Sequence, residues 1–360
     1  MNIWAQDRGH RHEGESPKKM KKAFIFIEKD PLNAYVVAAT LIQEKEFTDI
    51  VLVCKEPGSR VVNKDSTEEV LKKRRQKDPF EFSRIVKSIL EKKHKDVNIN
   101  ILELNLENPG TTFIQMELSS STLTNPKGVE EVTVNCIDSV DKVRFAAQKF
   151  FEERYANITF AYFFPEENLL WLEERGCFGD DVKFFGSPVW DIDKKIALSI
   201  NELANLHLFG QYNRDRLAKE GAELQFTEVI EPFIRGIEGV TSFGKNVLFS
   251  KRCNRLDNDD SGPFIWADYY IIIGFRLYFI NIIEKETPSS KFHNIEKGLK
   301  MLLEAKQVGG KTAKVIYLST ANEYLSSLEQ EIGSMADDIV HIKNNNDLLW
   351  SLKHIRRSFL

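Results

Sequence analysis

The stretch Trp266-Ala-Asp-Tyr-Tyr-Ile-Ile-Ile-Gly-Phe-Arg-Leu-Tyr-Phe-Ile-Asn-Ile-Ile-Glu-Lys-Glu286 decides the fold of the C-terminal half of this chain. It holds two runs of β-branched and aromatic residues, 269–273 and 277–283, separated by Gly274-Phe275-Arg276. Such runs around a short break that contains glycine predict two adjacent strands joined by a tight turn. Asp268 then lies at the start of the first strand.

The polar residues of this hairpin resemble those of the restriction-endonuclease-like nucleases. In that class an Asp on one strand and a Glu-x-Lys on the next share one side, hold Mg²⁺ or Mn²⁺ and orient the attacking water. Aligned through residues 277–280, the hairpin is similar to that of the CARF-domain nucleases of type III CRISPR systems. The resemblance keeps Asp268 but places Asn281 at the Glu position and Ile283 at the Lys position.

A further catalytic position of that family lies upstream, in residues 221–230, where Gln225 replaces the expected Glu. Neutral amides do not substitute for carboxylates around a hard cation, so we expect Mg²⁺ or Mn²⁺ only if the nuclease site is active, with Asp268 as its one retained metal ligand. Possible charged substitutes lie close by in the sequence: Glu223, Glu284, Lys285 and Glu286. A shift of one residue along a strand turns a side chain to the opposite face unless a bulge re-aims it, which disfavours these substitutes.

The N-terminal half alternates between strand and helix patterns. Strands are predicted over residues 23–27, 50–53, 99–104, 132–135, 157–164 and 169–172, and helices over 34–43, 66–75, 79–93 and 140–151. Residues 113–126, rich in Ser and Thr, are expected to form an exposed excursion. This alternation predicts a Rossmann-like domain with a mostly parallel sheet.

Ligands of such sheets bind outside the carboxyl ends of the strands, where two loops follow predicted strands. CARF domains, which this half resembles, hold cyclic oligoadenylate there. The resemblance makes these residues the ligand-binding candidates: Asp30, Asn33, Asn135, Asp138, Ser139 and Lys142. The second loop departs from the family, because Ile137, Asp138 and Ser139 replace Thr-Gly-Gly and Lys142 is displaced by one place. Asp138 and Ser139 have an alternative interpretation as caps of the following helix.

The resemblance extends over the chain from about residue 21 and implies an α/β protein of two domains. We expect a disordered arm over residues 1–20, with Met20 as an alternative start, and a CARF-like Rossmann domain over 21–175. A linker over 176–205 and a restriction-endonuclease-like domain over 206–360 follow. A chain of 360 residues is long enough for two such α/β cores.

Composition narrows the function classes. A formal net charge of −4 argues against a chain that wraps nucleic acid with its whole surface, although a local basic groove remains compatible with it. No apolar run reaches the length of a membrane span, so we expect a cytoplasmic protein that does not bind membranes. Four scattered cysteines without a Cys-x-x-Cys pair predict reduced, ordinary thiols.

Three functions remain open. The resemblance implies an active endonuclease for DNA or RNA that is gated by cyclic oligoadenylate. The substituted catalytic positions favour a second function, a catalytically degenerate sensor or accessory protein of CRISPR-associated antiviral defence. The third is a partner-binding protein that has lost both sites. A homodimer is implied as well, because cyclic ligands of this kind lie on a two-fold axis.

Overall fold

A computed structural model of the chain shows a mixed α/β protein built on two sheets. It describes residues 20–27, 30–56, 67–106, 109–118, 129–136, 141–155, 157–178, 181–213, 231–232, 234–236, 239–251, 265–283, 300, 302–319 and 339–342. The predicted fold class, a Rossmann-like domain followed by a second α/β domain, is confirmed. Within the described residues, no helix is both long and apolar enough to cross a membrane.

The first sheet has seven strands in the order β3-β2-β1-β4-β5-β6-β7. They are β1 (Met20–Ile27), β2 (Asp49–Lys55), β3 (Asn98–Leu104), β4 (Val129–Asn135), β5 (Asn157–Phe164), β6 (Leu169–Phe178) and β7 (Asp181–Trp190). β1 to β5 are parallel, whereas β6 and β7 extend the sheet with antiparallel pairings.

Helices cover both faces of this sheet, which explains the nearly continuous apolar runs of its central strands. They are α1 (Pro31–Lys45), α2 (Thr67–Lys93), α3 (Pro109–Leu118) and α4 (Asp141–Arg154). Alternate residues of one strand join different apolar clusters: Ile25 belongs to the cluster that contains α1, and Phe24 to the cluster that contains α4. The period of two along β1 therefore divides the core into two layers.

The second sheet has six strands in the order β13-β12-β11-β10-β9-β8. They are β8 (Phe209–Asn213), β9 (Val240–Lys251), β10 (Ile265–Ile273), β11 (Arg276–Ile283), β12 (Lys314–Ser319) and β13 (Ile339–Ile342). β8 to β11 pair antiparallel and β11 to β13 pair parallel. Two short helices, α5 (Ile192–Lys195) and α6 (Ile200–Leu206), precede this sheet.

Two local expectations differ from the structure. The linker expected over residues 176–205 contains β7, α5 and α6, because ten residue pairs join β7 to β6 and Val189 is buried in the main core. The excursion expected over residues 113–126 overlaps the second half of α3, where Met116 is buried. Gly, Asp and Phe without a clear period indicated the linker, and Ser and Thr indicated the excursion, whereas tertiary packing decides the outcome in both places.

The two sheets share one apolar cluster instead of being joined by a free linker. This cluster contains Ile25 and Leu32 from the first domain and Phe249 and Tyr270 from the second. Ion pairs tie the intervening segment to the first domain, with 2.7 Å between Lys195 Nζ and Glu44 Oε2 and 3.1 Å between Lys93 Nζ and Glu202 Oε2. The apolar cluster therefore runs without a break from α1 and α2, through α6, to the second sheet.

Candidate functional site

Both predicted ligand loops leave the first sheet at its topological switch point. β1 and β4 are adjacent and parallel, with Ile25 paired to Asn135. From β1 the chain continues to β2 on one side, and from β4 it continues to β5 on the other. The connections therefore diverge beyond the carboxyl ends of the two strands, which is where open α/β sheets form ligand-binding crevices.

Asn135 ends β4 at this crevice and carries an unpaired acceptor. Its side chain is 1% exposed, and its Nδ2 donates a hydrogen bond to the carbonyl oxygen of Ala161 at 2.8 Å. Among the described residues no donor reaches its Oδ1. An enclosed acceptor without a partner costs about 1–3 kcal/mol, so a ligand donor at this point would be strongly favoured.

Asp30 and Asn33 lie on the other side of the crevice. Asp30 is the N-cap of α1, and its Oδ1 accepts from the backbone N–H groups of Leu32 at 3.1 Å and Asn33 at 3.4 Å. Both candidate side chains are buried. The Asp30 carboxylate offsets the positive potential of the α1 N-terminus, which otherwise favours an anion.

The second ligand loop adds little to this geometry. Asp138 and Ser139 lie outside the described residues, so both the capping and the ligand interpretations of them stay predictions. Lys142 lies in the first turn of α4. Cys136, directly after Asn135, is buried, and burial raises the pKa of its thiol to about 12. It is therefore a neutral core thiol, as expected from the sequence.

The hairpin that opened the sequence analysis forms as predicted. β10 and β11 pair antiparallel from Tyr269 with Ile280 to Ile273 with Arg276, and residues 274–275 make the turn. One further step of this register brings the backbone of Asp268 level with that of Asn281. β11 also pairs with β12, which joins Ile283 to Ser319.

Among the described residues of this hairpin, the donor set does not fit a hard divalent cation. Asp268 is partly buried and is the one carboxylate at the family positions that the structure describes. Within the described ranges, no three His, Cys, Asp or Glu residues are grouped closely enough to hold a metal. Several candidates lie outside those ranges: Gln225, Glu223, Glu284, Lys285 and Glu286.

The hairpin turn is held by the first domain. The Leu198 N–H donates to the carbonyl oxygen of Gly274 at 2.9 Å, and Arg276 Nη2 donates to the carbonyl oxygen of Pro165 at 2.7 Å. Phe275 meets Phe163 of β5 edge to face, with ring centroids 5.6 Å apart. Because β5 also supplies the Ala161 carbonyl that Asn135 binds, one strand links the crevice to the hairpin.

His207 was not indicated by the sequence, since a lone histidine in a short helical stretch carries no motif. It follows α6, and its Nε2 is enclosed without a hydrogen-bond partner among the described residues. Gly310 has φ +78°, and a Cβ placed on it would lie 3.1 Å from this Nε2 and 3.4 Å from Leu32 Cδ2. His207 therefore lies where the start of α1 meets the second domain.

We expect His207 to make stability depend on pH. Burial lowers the pKa of His207 from 6.5, and the nearby Asp30 carboxylate opposes this only in part. The unfolded chain then binds the proton more readily, so stability is fully present above about pH 6.5 and is lost as pH falls towards the folded pKa, by up to about 1.4 kcal/mol per pH unit.

Urea unfolding from about pH 5 to pH 7.5 measures this effect, which spans the range where histidine titrates. His94, whose pKa burial also lowers, contributes in the same window, so wild type is compared with His207→Gln. The stability of the variant should fall less steeply on acidification. Equal slopes for the two proteins would show that His207 is not the responsible group.

Comparisons with known proteins identify shared architecture. No family model matches the chain, and no curated protein does. The crystal structure of protein VC1899 from Vibrio cholerae matches with a TM-score of 0.61 at 10% identity, covering 94% of this chain and 97% of that one. This match shows that the fold is shared over nearly the full length of both chains.

Two further solved structures match less well. One is a type III CRISPR defence DNA nuclease activated by cyclic oligoadenylate, with a TM-score of 0.42 at 9% identity, covering 92% of this chain and 44% of that one. The other is the small subunit of the heterodimeric restriction endonuclease R.BspD6I, with a TM-score of 0.23 at 16% identity, covering 36% of this chain and 78% of that one.

Proposed function

We propose that this chain is a CRISPR-associated antiviral-defence protein that binds a cyclic oligoadenylate at the switch-point crevice and no longer cleaves nucleic acid. The observation that carries the proposal is the buried Asn135, which ends β4 with an unpaired Oδ1 at the position where such sheets bind ligands. The sequence resemblance to CARF domains, which retains this asparagine, supplies the ligand class.

Adenine amino groups and ribose hydroxyls are hydrogen-bond donors, as the unpaired Oδ1 requires. Binding of the ligand's phosphates at the N-terminus of α1 is disfavoured, because the Asp30 carboxylate caps α1 and repels an anion. We therefore propose that the crevice recognises mainly the nucleoside part of the ligand. A two-fold cyclic ligand would be shared by two chains, which is why a homodimer is part of the proposal.

Loss of catalysis is proposed from the donor set at the hairpin. Mg²⁺ takes about six oxygen ligands in octahedral geometry and is held in proteins through carboxylates. Among the described residues at the family positions, Asp268 is the one carboxylate, and by itself it does not supply them. The retained Asp268 and the retained pairing of β10 with β11 keep an active, metal-dependent endonuclease as the second candidate.

Titration calorimetry of the purified protein with cyclic tetra-adenylate and cyclic hexa-adenylate tests the proposal. It is combined with incubation of DNA and RNA with Mg²⁺ or Mn²⁺. We expect saturable binding of one of the two at one ligand per two chains, without cleavage above the buffer control. Cleavage that disappears in Asp268→Ala would establish the active endonuclease instead. Absence of both binding and cleavage would leave a partner-binding protein.

A further inference from the structure

The N-terminus of α1 is enclosed where the first domain meets the second. Leu32 lies in the first turn of α1 and is buried. A Cβ placed on Gly310, in the segment that leads to β12, would lie 3.4 Å from Leu32 Cδ2 and 3.1 Å from His207 Nε2. The first turn of α1, the residue that follows α6 and the segment before β12 therefore meet at one point, which we call the α1 junction.

The α1 junction brings together a carboxylate and an imidazole. Asp30 Oδ1 accepts hydrogen bonds from the backbone N–H groups of Leu32 at 3.1 Å and Asn33 at 3.4 Å. His207 Nε2 is enclosed and has no hydrogen-bond partner in the described part of the chain. The charge of the Asp30 carboxylate acts on the His207 imidazole. Asp30 therefore has two possible partners: the N–H groups of α1 and, once the imidazole carries a proton, His207.

At neutral pH the carboxylate stays on the helix. Burial lowers the pKa of His207, so its imidazole is uncharged above about pH 6.5. An uncharged imidazole does not draw the Asp30 carboxylate away from the N–H groups of α1. The N-terminus of a helix otherwise favours an anion, but here its N–H groups are occupied and its positive potential is offset. An external anion is therefore excluded in this state.

The other charges on the elements around α6 do not alter this balance. α6 packs against α1, α2, β8 and β9. Lys93 of α2 and Glu202 of α6 lie 3.1 Å apart as an ion pair, and Lys245 of β9 pairs with Glu231 at 2.8 Å, so each pair is internally neutralised. Lys311, in the segment before β12, is exposed, and water weakens the effect of its charge. Asp30 is therefore the charge that decides what protonation of the imidazole does.

We propose that the N-terminus of α1 is an anion site that opens when His207 takes up a proton. The protonated imidazole attracts the Asp30 carboxylate, which leaves the N–H groups of Leu32 and Asn33 available to a sulfate or phosphate group. By linkage, an anion bound there strengthens proton binding at His207, so anion binding takes up a proton. The inference rests on the proposed function for its natural ligand, a phosphate of the cyclic oligoadenylate, whose binding is then tighter at acid pH.

Titration of the full chain with sodium sulfate tests this inference. Sulfate is the probe because its charge is constant over the range in which histidine titrates. The backbone amide signals of Leu32 and Asn33 are followed by NMR at constant ionic strength, from about pH 7.5 to pH 5.5. We expect the dissociation constant to fall by up to about tenfold per pH unit, as one linked proton requires. A dissociation constant that is independent of pH, or amide shifts confined to other residues, overturns the inference.

Two variants assign the roles of the two groups. Asp30→Asn keeps an N-cap, since Asn caps helices as well as Asp does, but removes the opposing charge. We expect this variant to bind sulfate about tenfold more tightly than the wild type at pH 7.5, with little further change on acidification. His207→Gln should bind weakly at every pH. A full pH dependence in Asp30→Asn also overturns the inference, and this result does not require that His207→Gln folds.

Thr312→Val is the matched control. Thr312 lies two residues after Gly310, is buried, and its Oγ1 has no hydrogen-bond partner among the described residues. This variant should keep the pH profile of the wild type, and loss of the profile would show a general disturbance of the α1 junction instead of a switch. No cyclic nucleotide is present, so the outcome is separate from the calorimetry. A failure of cyclic oligoadenylate to bind removes the natural ligand and leaves the sulfate result unchanged.

Discussion

Replacing Gly274 with alanine is expected to lower the free energy of unfolding by about 3 kcal/mol or more, the range of large single-site effects. Gly274 has φ +61°, which costs a residue with a side chain free energy. In addition, its Cβ would lie 2.1 Å from the carbonyl oxygen of Asp193 and 2.6 Å from Asp193 Cα. Backbone atoms cannot move aside as a flexible side chain does. The hairpin turn must therefore move away from α5, on which Asp193 lies.

Gly239→Ala separates the two causes of this loss. Gly239 also has a positive φ, +81°, but among the described residues a Cβ there would meet just Ile273 Cγ2, at an ordinary 3.5 Å. This control variant has the unfavourable positive φ without the clash. Its free energy of unfolding should therefore fall by about 1 kcal/mol. Urea unfolding of both variants measures the difference. Similar losses would show that contact between the turn and Asp193 does not contribute to stability.

Replacing Asn135 with leucine is expected to weaken binding of cyclic oligoadenylate by about 10- to 100-fold. The substitution removes the acceptor proposed to bind a ligand donor, and a buried hydrogen bond lost with its partner left unpaired costs about 1–3 kcal/mol. It also removes the donor to the Ala161 carbonyl. We therefore expect a lower melting temperature together with the weaker binding, measured by the same calorimetric titration.

Thr133→Val is the matched control for this prediction. Thr133 lies two residues earlier on β4, is 1% exposed, and its Oγ1 has no hydrogen-bond partner within the described part of the chain. Replacing an unpaired buried hydroxyl with a methyl group of similar size is neutral or stabilising, so binding should persist and stability should hold or rise. Equal weakening by both variants would indicate a general disturbance of β4, and unchanged binding in Asn135→Leu would exclude Asn135 as a ligand contact.

Sequence patterns were sufficient to predict those elements whose own residues show the pattern of a strand or a hairpin. The hairpin of β10 and β11 was predicted because β-branched and aromatic runs flank a glycine, and the parallel strands of the first domain were predicted because their apolar runs are buried on both faces. The edge of the sheet from which the two loops leave was predicted for a related reason, since carboxyl ends of parallel strands lie at one edge, whereas ligand binding there stays a prediction. The predicted residue types at that edge include Asn135, which the structure places at the switch point.

Local patterns failed where burial comes from distant partners. β7 was expected to be a linker, but β6 gives its backbone hydrogen-bond partners. α3 was expected to be an excursion, but it packs on the sheet through Met116. His207 carries no local signal, because its environment is formed by Leu32 and Gly310, residues far from it in the sequence.

The sequence by itself determined the class of the fold and the presence of uncharged residues at positions 281 and 283, because side-chain periodicity and residue identity are local properties. Only the tertiary structure decided that both domains share one core, that the Gly274 turn is held against Asp193, and that Asn135 keeps an unpaired oxygen. Those features depend on contacts between residues that are far apart in the sequence. The spacing of residues along the chain does not specify such contacts.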